Sequence, residues 1–423
     1  MTVATHSRNG LRPAVHLTPP EGWMNDPHGL IHVDGRYHLF FQYVPGSLTW
    51  RPDCHWGHAT STDLLHWDVQ PIALFPDDDE VGVWSGSAVV GDDGVPVLLY
   101  TAAQENDLDR ALVRAAYPMS GDLVEWRKGE VLVRPREADA VFRDPVVFCE
   151  GDHWRMLVGQ GTADEVAGVA VYRSPDLKSW EYDGLLTTRP ATAEPYTGVA
   201  WECPQLVRRT TGLDADVLVV SVWNHGVTVN VAATAGIYVD GRFAQGEWQT
   251  LTAGTSGHYA ASHFTDIDGR PCVLFWIRGV GQPGAWTGAI SIPYVVSNDD
   301  ERIVLTPHPV VAAARSTPEG DLPATVLDLE WSPRGAGHLR LIGEDGELRA
   351  ELALAHGVLT VTVAGADPVV VEHKEPKLRV IADAQVLEVV AAGGLVGLPL
   401  ADVAGGFRPV ADDPSRLAWW HLS

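Results

Sequence analysis

The chain repeats itself at just under sixty residues, and that period restricts its fold more than any other feature. Asp63-Leu64-Leu65-His66-Trp67, Asp122-Leu123-Val124-Glu125-Trp126 and Asp176-Leu177-Lys178-Ser179-Trp180 share the pattern Asp-Leu-x-x-Trp at spacings of 59 and 54 residues. Five segments move in step with it: 23–42, 84–100, 142–158, 201–220 and 258–276. Each is a short polar-aromatic run, a turn and an apolar run. Four of the turns set glycine beside an acid (Asp34-Gly35, Asp93-Gly94, Glu150-Gly151, Asp268-Gly269), a hairpin signal because glycine readily takes positive φ. The fourth, residues 211–214, is longer. Asp26, Ser85, Asp144, Glu202 and Tyr259 follow one another at steps of 59, 59, 58 and 57. Five four-stranded units of that length predict an all-β chain with a five-bladed β-propeller over residues 1–296. Residues 297–324, rich in acids, Pro and Ala, read as strand, loop and linker. Short alternating runs with Gly-rich turns then predict a short C-terminal β-sandwich over 325–423.

In a propeller the innermost strands face one axis, so residues whole repeats apart converge. Asp26, Asp144 and Glu202 are therefore expected to form one site. Asp26-Pro27 and Asp144-Pro145 each hold the acid before a proline, which keeps that backbone out of a helix. Arg143 favours an ionised Asp144, whereas the apolar neighbours of Glu202 in Trp201-Glu202-Cys203-Pro204 suit a protonated general acid. Asn25 can donate its amide hydrogens to a substrate oxygen. One ionised carboxylate, one protonated carboxyl and a third negative group match glycoside cleavage through an oxocarbenium-like transition state.

Composition excludes some partners. Asp and Glu number 55 against 30 Lys and Arg, and the formal charge of −25 repels phosphate backbones and anionic lipid. Neither nucleic acid nor membrane is expected as a partner. Residues 1–22 are polar and lack a basic start followed by an apolar run, so a cytoplasmic location is expected. Cys54, Cys149, Cys203 and Cys272 lie far apart with no CxxC pair, which fits neither a disulfide scaffold nor a zinc site. No metal or organic cofactor is expected, since carboxyl acid–base and nucleophilic chemistry suffices. Of 16 tryptophans, 13 precede residue 300, where indole faces can fill blades or stack on the C–H face of a sugar.

At these residues the chain resembles glycoside hydrolase family 32, the invertases, inulinases, levanases and sucrose-6-phosphate hydrolases. The resemblance rests on Trp23-Met24-Asn25-Asp26-Pro27-His28-Gly29, Phe41-Gln42-Tyr43, Trp56-Gly57-His58-Ala59-Thr60-Ser61, Trp84-Ser85-Gly86-Ser87, Phe142-Arg143-Asp144-Pro145 and Glu202-Cys203-Pro204, in that order. It continues in Leu378-Arg379-Val380-Ile381-Ala382-Asp383 and Leu387-Glu388-Val389. The family's fold is a five-bladed propeller backed by a β-sandwich. The resemblance implies that Asp26 is the nucleophile, Glu202 the acid–base, and Asp144 with Arg143 the binder of fructose hydroxyls. It also implies that Trp23, Asn25, Gln42, Trp50, Trp84, Ser85 and Trp276 line the fructose pocket. Members commonly carry Asn, Asp and Asp-Phe where this chain has Val44, Gln205 and Gly257-His258, and these departures are expected to alter the pocket rim or the residues behind it.

The expected activity is retaining hydrolysis of terminal β-D-fructofuranosyl units from sucrose or short fructooligosaccharides, with a small carbohydrate as the partner. Exo-levanase, exo-inulinase or transfructosylase action is the alternative within the family. An inverting arabinan-type furanosidase and a non-catalytic carbohydrate-binding propeller are the alternatives outside it.

Overall fold

The computed structural model describes residues 12–210, 212–254, 257–299, 302–317, 323–401 and 405–423. Residues 1–11, position 211 of the fourth turn, and residues 300–301 and 318–322 of the expected linker lie outside them. Among the described residues nearly all regular structure is strand, with one short α-helix, Pro309–Ala313, and one 3-10 turn, Pro414–Arg416. No helix among the described residues is long and apolar enough to cross a membrane.

Residues 22–74, 82–133, 141–190 and 200–250 each form four consecutive antiparallel strands. The first strands of these units are β1 (Gly22–Val33), β2 (Gly82–Val90), β3 (Val141–Glu150) and β4 (Ala200–Val207). A fifth unit begins with β5 (His258–Thr265). The acid–glycine pairs sit in the first hairpin of their units, with Gly35, Gly94, Gly151 and Gly269 at φ between 64 and 79°. The Asp-Leu-x-x-Trp segments join third to fourth strands. A serine two residues before the acid belongs to the motif: Ser61, Ser120 and Ser174 each donate to the following Asp. That Asp accepts backbone amides of the turn, the leucine takes positive φ, and Leu64, Leu123 and Leu177 are buried. The side-chain hydrogen bonds replace those the ladder loses at the turn.

The five first strands adjoin in sequence: β1 beside β2, β2 beside β3, β3 beside β4, β4 beside β5, and β5 beside β1. All five contribute to one cavity of about 260 Å³, lined among others by Gly29, Ser87, Val147, Gln205 and His263. Trp286–Ile290 of the fifth unit pairs in parallel with the start of β1. Among the described residues none of the sheets closes on itself.

Two further sheets, of seven and five strands, share a core that includes Leu327, Leu329, Leu339, Leu352, Leu359, Val380, Leu387 and Val396. Gly394–Pro399 packs on Pro271–Gln282 and pairs in parallel with Thr252–Ala253, while β6 (Leu378–Asp383) and β7 (Val386–Ala391) reach the first body through the side chains of Asp383 and Glu388. Residues 297–324, expected as strand, loop and linker, begin in a strand hairpin. Tyr294–Asp299 and Arg302–Pro307 form a hairpin that adds to Pro271–Gln282, burying Val296, Ile303 and Leu305. Arg315–Ser316 already pairs with the last strand, Leu417–Leu422, of the second body. The passage between the two is thus shorter than 297–324.

The junction is both apolar and charged. Tyr259, Phe275, Ile292 and Tyr294 of the first body share a buried cluster with Val326, Ile381 and Leu395 of the second. Asp383 accepts the backbone amides of Ala14, Val15 and His16, and His16 Nε2 lies 3.0 Å from Glu388 Oε2.

Candidate active site

Each of the five first strands breaks register at the same phase. The slips fall at Met24/Pro27, Trp84/Gly86, between Arg143 and Val146, at Glu202/Gln205 and at Tyr259/Ser262. A bulge re-aims side chains and sharpens local twist. Here it leaves Asp144, Cys203 and Ala260 at φ of 66, 43 and 50°, a costly region for residues with a Cβ. The expected acids stand at or beside these bulges.

Asp26 is held on both oxygens. The Asn25 amide donates to Oδ1 at 2.9 Å, while the Ser85 hydroxyl and Gln42 amide donate to Oδ2 at 2.6 and 3.2 Å. Gln42 also donates to Ser85 Oγ at 2.6 Å, so two strands buttress one carboxylate. Glu202 accepts from Arg143 Nε at 3.0 Å on Oε1 and from the Tyr259 hydroxyl at 2.6 Å on Oε2. Asp144 is almost wholly buried and accepts the Cys203 amide at 2.9 Å. The Cys203 thiol lies 3.6 Å from Asp26 Oδ2 and 3.6 Å from Asp144 Oδ2, so those oxygens stand no farther apart than twice that.

Burial pushes both Asp144 and Glu202 above the usual carboxylate range. For Asp144 the charge of Glu202 adds to the rise and Arg143 only partly offsets it. For Glu202 the counterweights are Arg143 and the Tyr259 hydrogen bond. This alters the sequence reading of Asp144. The Arg143 guanidinium is hydrogen-bonded to Glu202 and, at 3.3 Å, to Asp109, not to its neighbour in sequence. Its plane lies 5.0 Å over Trp223.

The remaining expected residues gather on the flanks. Trp23 donates to Asn25 Oδ1 at 2.8 Å and meets Trp276 edge-on at 5.5 Å. Trp276 is buried, and its Nε1 has no hydrogen-bond partner. Trp84, anchored to Pro52 O, supports Trp50, which is 43% exposed. Val44 packs behind Trp84 and Trp23. The other departures are not on a rim: Gln205 bridges Cys203 O and the His263 amide, and His258 faces Glu388 of the second body. The Cys203 thiol lies between the two aspartates.

Three contacts were not read from the sequence. Tyr259 served only as a marker of phase, although its place in the repeat was the signal that could have found it. Thr101 accepts the Asp144 amide at 2.7 Å and Asp109 pairs with Arg143, and both come from neighbouring strands that carry no motif. One group of potential metal donors occurs among the described residues: Asp266, Cys272 and His308, within 4.8 Å of one another. His308 donates to Asp266 through Nε2 and accepts the Val310 amide through Nδ1, so both ring nitrogens are engaged.

Residues 16–309 match the model of the glycosyl hydrolases family 32 N-terminal domain. A sucrose-6-phosphate hydrolase of Zymomonas mobilis is 34% identical over 345 residues, 75% of this chain and 66% of that protein, so the match takes in just under two thirds of the relative's length. A sucrose-6-phosphate hydrolase of Escherichia coli is 33% identical over 76% of this chain and 70% of its own. Among solved structures, a Bombyx mori GH32 β-fructofuranosidase aligns at a TM-score of 0.83 with 25% identity, covering 98% of this chain and 94% of that one. A mutant of that enzyme has been solved in complex with sucrose.

Proposed function

The chain belongs to glycosyl hydrolase family 32, and from that membership we propose that it is a retaining β-fructofuranosidase acting on sucrose or short fructooligosaccharides. The observation that carries the reading is the meeting of Asp26, Asp144 and Glu202, each about one or more whole repeats from the next, around the Cys203 thiol and the Arg143–Tyr259 pair. We infer the architecture with it: a five-bladed propeller whose first strands surround a common axis, followed by a β-sandwich. The sequential adjacency of β1 to β5 and their shared cavity support that inference.

In the first half-reaction Asp26 attacks the anomeric C2 of the fructosyl unit while Glu202 gives its proton to the departing glycosidic oxygen. The C2–O bond breaks and an ester to Asp26 forms. Burial keeps the proton on Glu202 until then, and Arg143 with Tyr259 stabilises the carboxylate left behind. In the second half-reaction Glu202 takes a proton from water, the water oxygen bonds to C2, and Asp26 leaves as the carboxylate. Asn25, Ser85 and Gln42 hold that carboxylate in its attacking position throughout. Asp144 and Arg143 bind ring hydroxyls, and Trp23, Trp50, Trp84 and Trp276 supply the apolar walls of the sugar site.

The leaving group in this reading is neutral. A phosphate needs unspent cations, and the arginines beside the carboxylates and Trp50 are paired among the described residues. Arg143 binds Glu202 and Asp109, Arg110 lies 3.6 Å from Asp107, and Arg51 lies 2.7 Å from Asp53.

Proton NMR of the first-formed product from sucrose tests the mechanism: retained configuration at C2 is expected, and inversion would transfer the chain to the arabinan-type reading. Asp26→Ala should lower turnover by several orders of magnitude. Wild-type protein inert toward sucrose, 1-kestose, inulin and levan, yet stabilised by fructose, would favour a binding role.

A further inference from the structure

Tyr259 and His258 are consecutive on β5 and face different partners. The Tyr259 hydroxyl donates to Glu202 Oε2 at 2.6 Å, and Arg278 lies 4.9 Å over its ring. Arg278 in turn binds the carbonyls of Gly257, Thr228 and Val229 at 3.1, 2.7 and 3.2 Å, tying the start of β5 to its surroundings. His258 Nε2 lies 2.7 Å from Glu388 Oε1 on β7, with both side chains wholly buried. The second body also touches the backbone directly. Gly257 has φ of +94°, and a Cβ there would stand 2.5 Å from Gly397 O. Alternate residues of a strand point to opposite faces, so a displacement of His258 moves the hydroxyl that holds the acid.

Resting on the fructosidase reading above, we infer that Glu388 of the C-terminal body is a positioning residue for Glu202, acting through His258 and the hydroxyl of Tyr259. The second body then sets the geometry of a proton donor it never touches. The contact is made from residues in which this chain departs from the family's Asp-Phe-Tyr-Ala pattern: histidine can reach a carboxylate, and glycine admits the neighbouring backbone.

The groups that bear on Glu202 are known from each side. Arg143 contacts it from β3 and Tyr259 from β5, while Asp26 on β1 and Asp144 on β3 act by charge. Glu388 faces His16, His258 and Tyr294, with the Ile292 amide at 3.4 Å. His258 is otherwise enclosed by the rings of Phe275 and Tyr294.

The test compares Tyr259→Phe, His258→Phe, Glu388→Gln and His258→Gln with wild type. The readouts are the alkaline limb of kcat/KM on sucrose and the Glu202 titration midpoint by carboxyl ¹³C NMR, assigned with Glu202→Gln. Tyr259→Phe removes a hydrogen bond that favours the carboxylate, so limb and midpoint should rise by about one pH unit. Its kcat should fall about tenfold while KM stays within about twofold. His258→Phe and Glu388→Gln should move the midpoint the same way by less, and add nothing in the Tyr259→Phe background. His258→Gln, whose amide still donates to Glu388, should restore it. A midpoint left at the wild-type value by folded His258→Phe and Glu388→Gln, with only the melting temperature lowered, would overturn the inference. Should Glu388→Gln fail to fold, His258→Phe against His258→Gln decides alone. Wild type inactive on every β-fructoside strikes the fructosidase reading instead, because the NMR midpoint is read without turnover.

Discussion

His16 should make this chain lose stability between pH 7 and pH 10. Its Nδ1 lies 2.8 Å from Asp383 Oδ2 and its Nε2 lies 3.0 Å from Glu388 Oε2, with all three side chains fully buried. Two ring nitrogens each facing a carboxylate require two ring protons, hence an imidazolium. Burial alone would lower its pKa, but the hydrogen bonds and charges of Asp383 and Glu388 outweigh it, and His16 rises from 6.5 to about 9. A raised folded-state value means that the stabilisation is complete below pH 6.5 and disappears as pH climbs through about 9. At about 1.4 kcal/mol per pH unit the interval is worth about 3 kcal/mol. With roughly 2 cal/mol/K of unfolding entropy per residue, a cooperative unit of this size should melt about 3–4 °C lower. The assay is the melting temperature of wild type and His16→Gln from pH 7 to pH 10.5. Lysine and tyrosine titrations affect both proteins alike, so the difference between the curves isolates the imidazolium. A gap that stays constant across this range would refute the reasoning. The same pair acts on the acid side. Burial pushes Glu388 up, but hydrogen bonds from His16 and His258 bring it down to about 2, so that contribution is lost as pH falls from 4.5 toward 2.

Further outcomes follow from the site and the junction. The kcat/KM for sucrose should exceed that for sucrose phosphorylated on the glucosyl unit, measured by fructose release at equal ionic strength, because the neighbouring arginines are already paired. Gly257→Ala should destabilise by about 2–4 kcal/mol in urea unfolding, since its Cβ would collide with Gly397 O at a positive φ. Trp56→Ala should cost about 3–5 kcal/mol, as the ring is fully buried and its Nε1 donates to Trp84 O at 2.9 Å. Ser174→Ala should cost about 1 kcal/mol by removing the hydroxyl that braces the Asp176 turn.

The period of the sequence carried the organisation of the first body because its units share local chemistry. An acid–glycine hairpin opens four of the five units, and a Ser-x-Asp-Leu-x-x-Trp turn leads into the last strand of three. Both are made by side chains bonding to backbone a few residues away, which a linear reading can see. The three acids were legible for the same reason, since they share a phase. What escaped was the contact made across strands. Thr101 and Asp109 lie in stretches with no motif, and only the pairing of neighbouring strands brings them to Asp144 and Arg143. The pairing of Arg143 with Glu202, and not with adjacent Asp144, is likewise a contact between first strands, made because neighbours along a strand point to different partners. The extent of the passage between the bodies and the partners of Gly257-His258 were hidden for a different reason. Gly257-His258 and the hairpin after Tyr294 belong to the seam between two bodies, and nothing within either segment specifies the surface opposite. Strained backbone at Asp144, Cys203 and Ala260 is retained at one level of the structure because that is where the carboxyls must meet. A straight strand would face alternate residues outward and leave Asp26, Asp144 and Glu202 without a common centre.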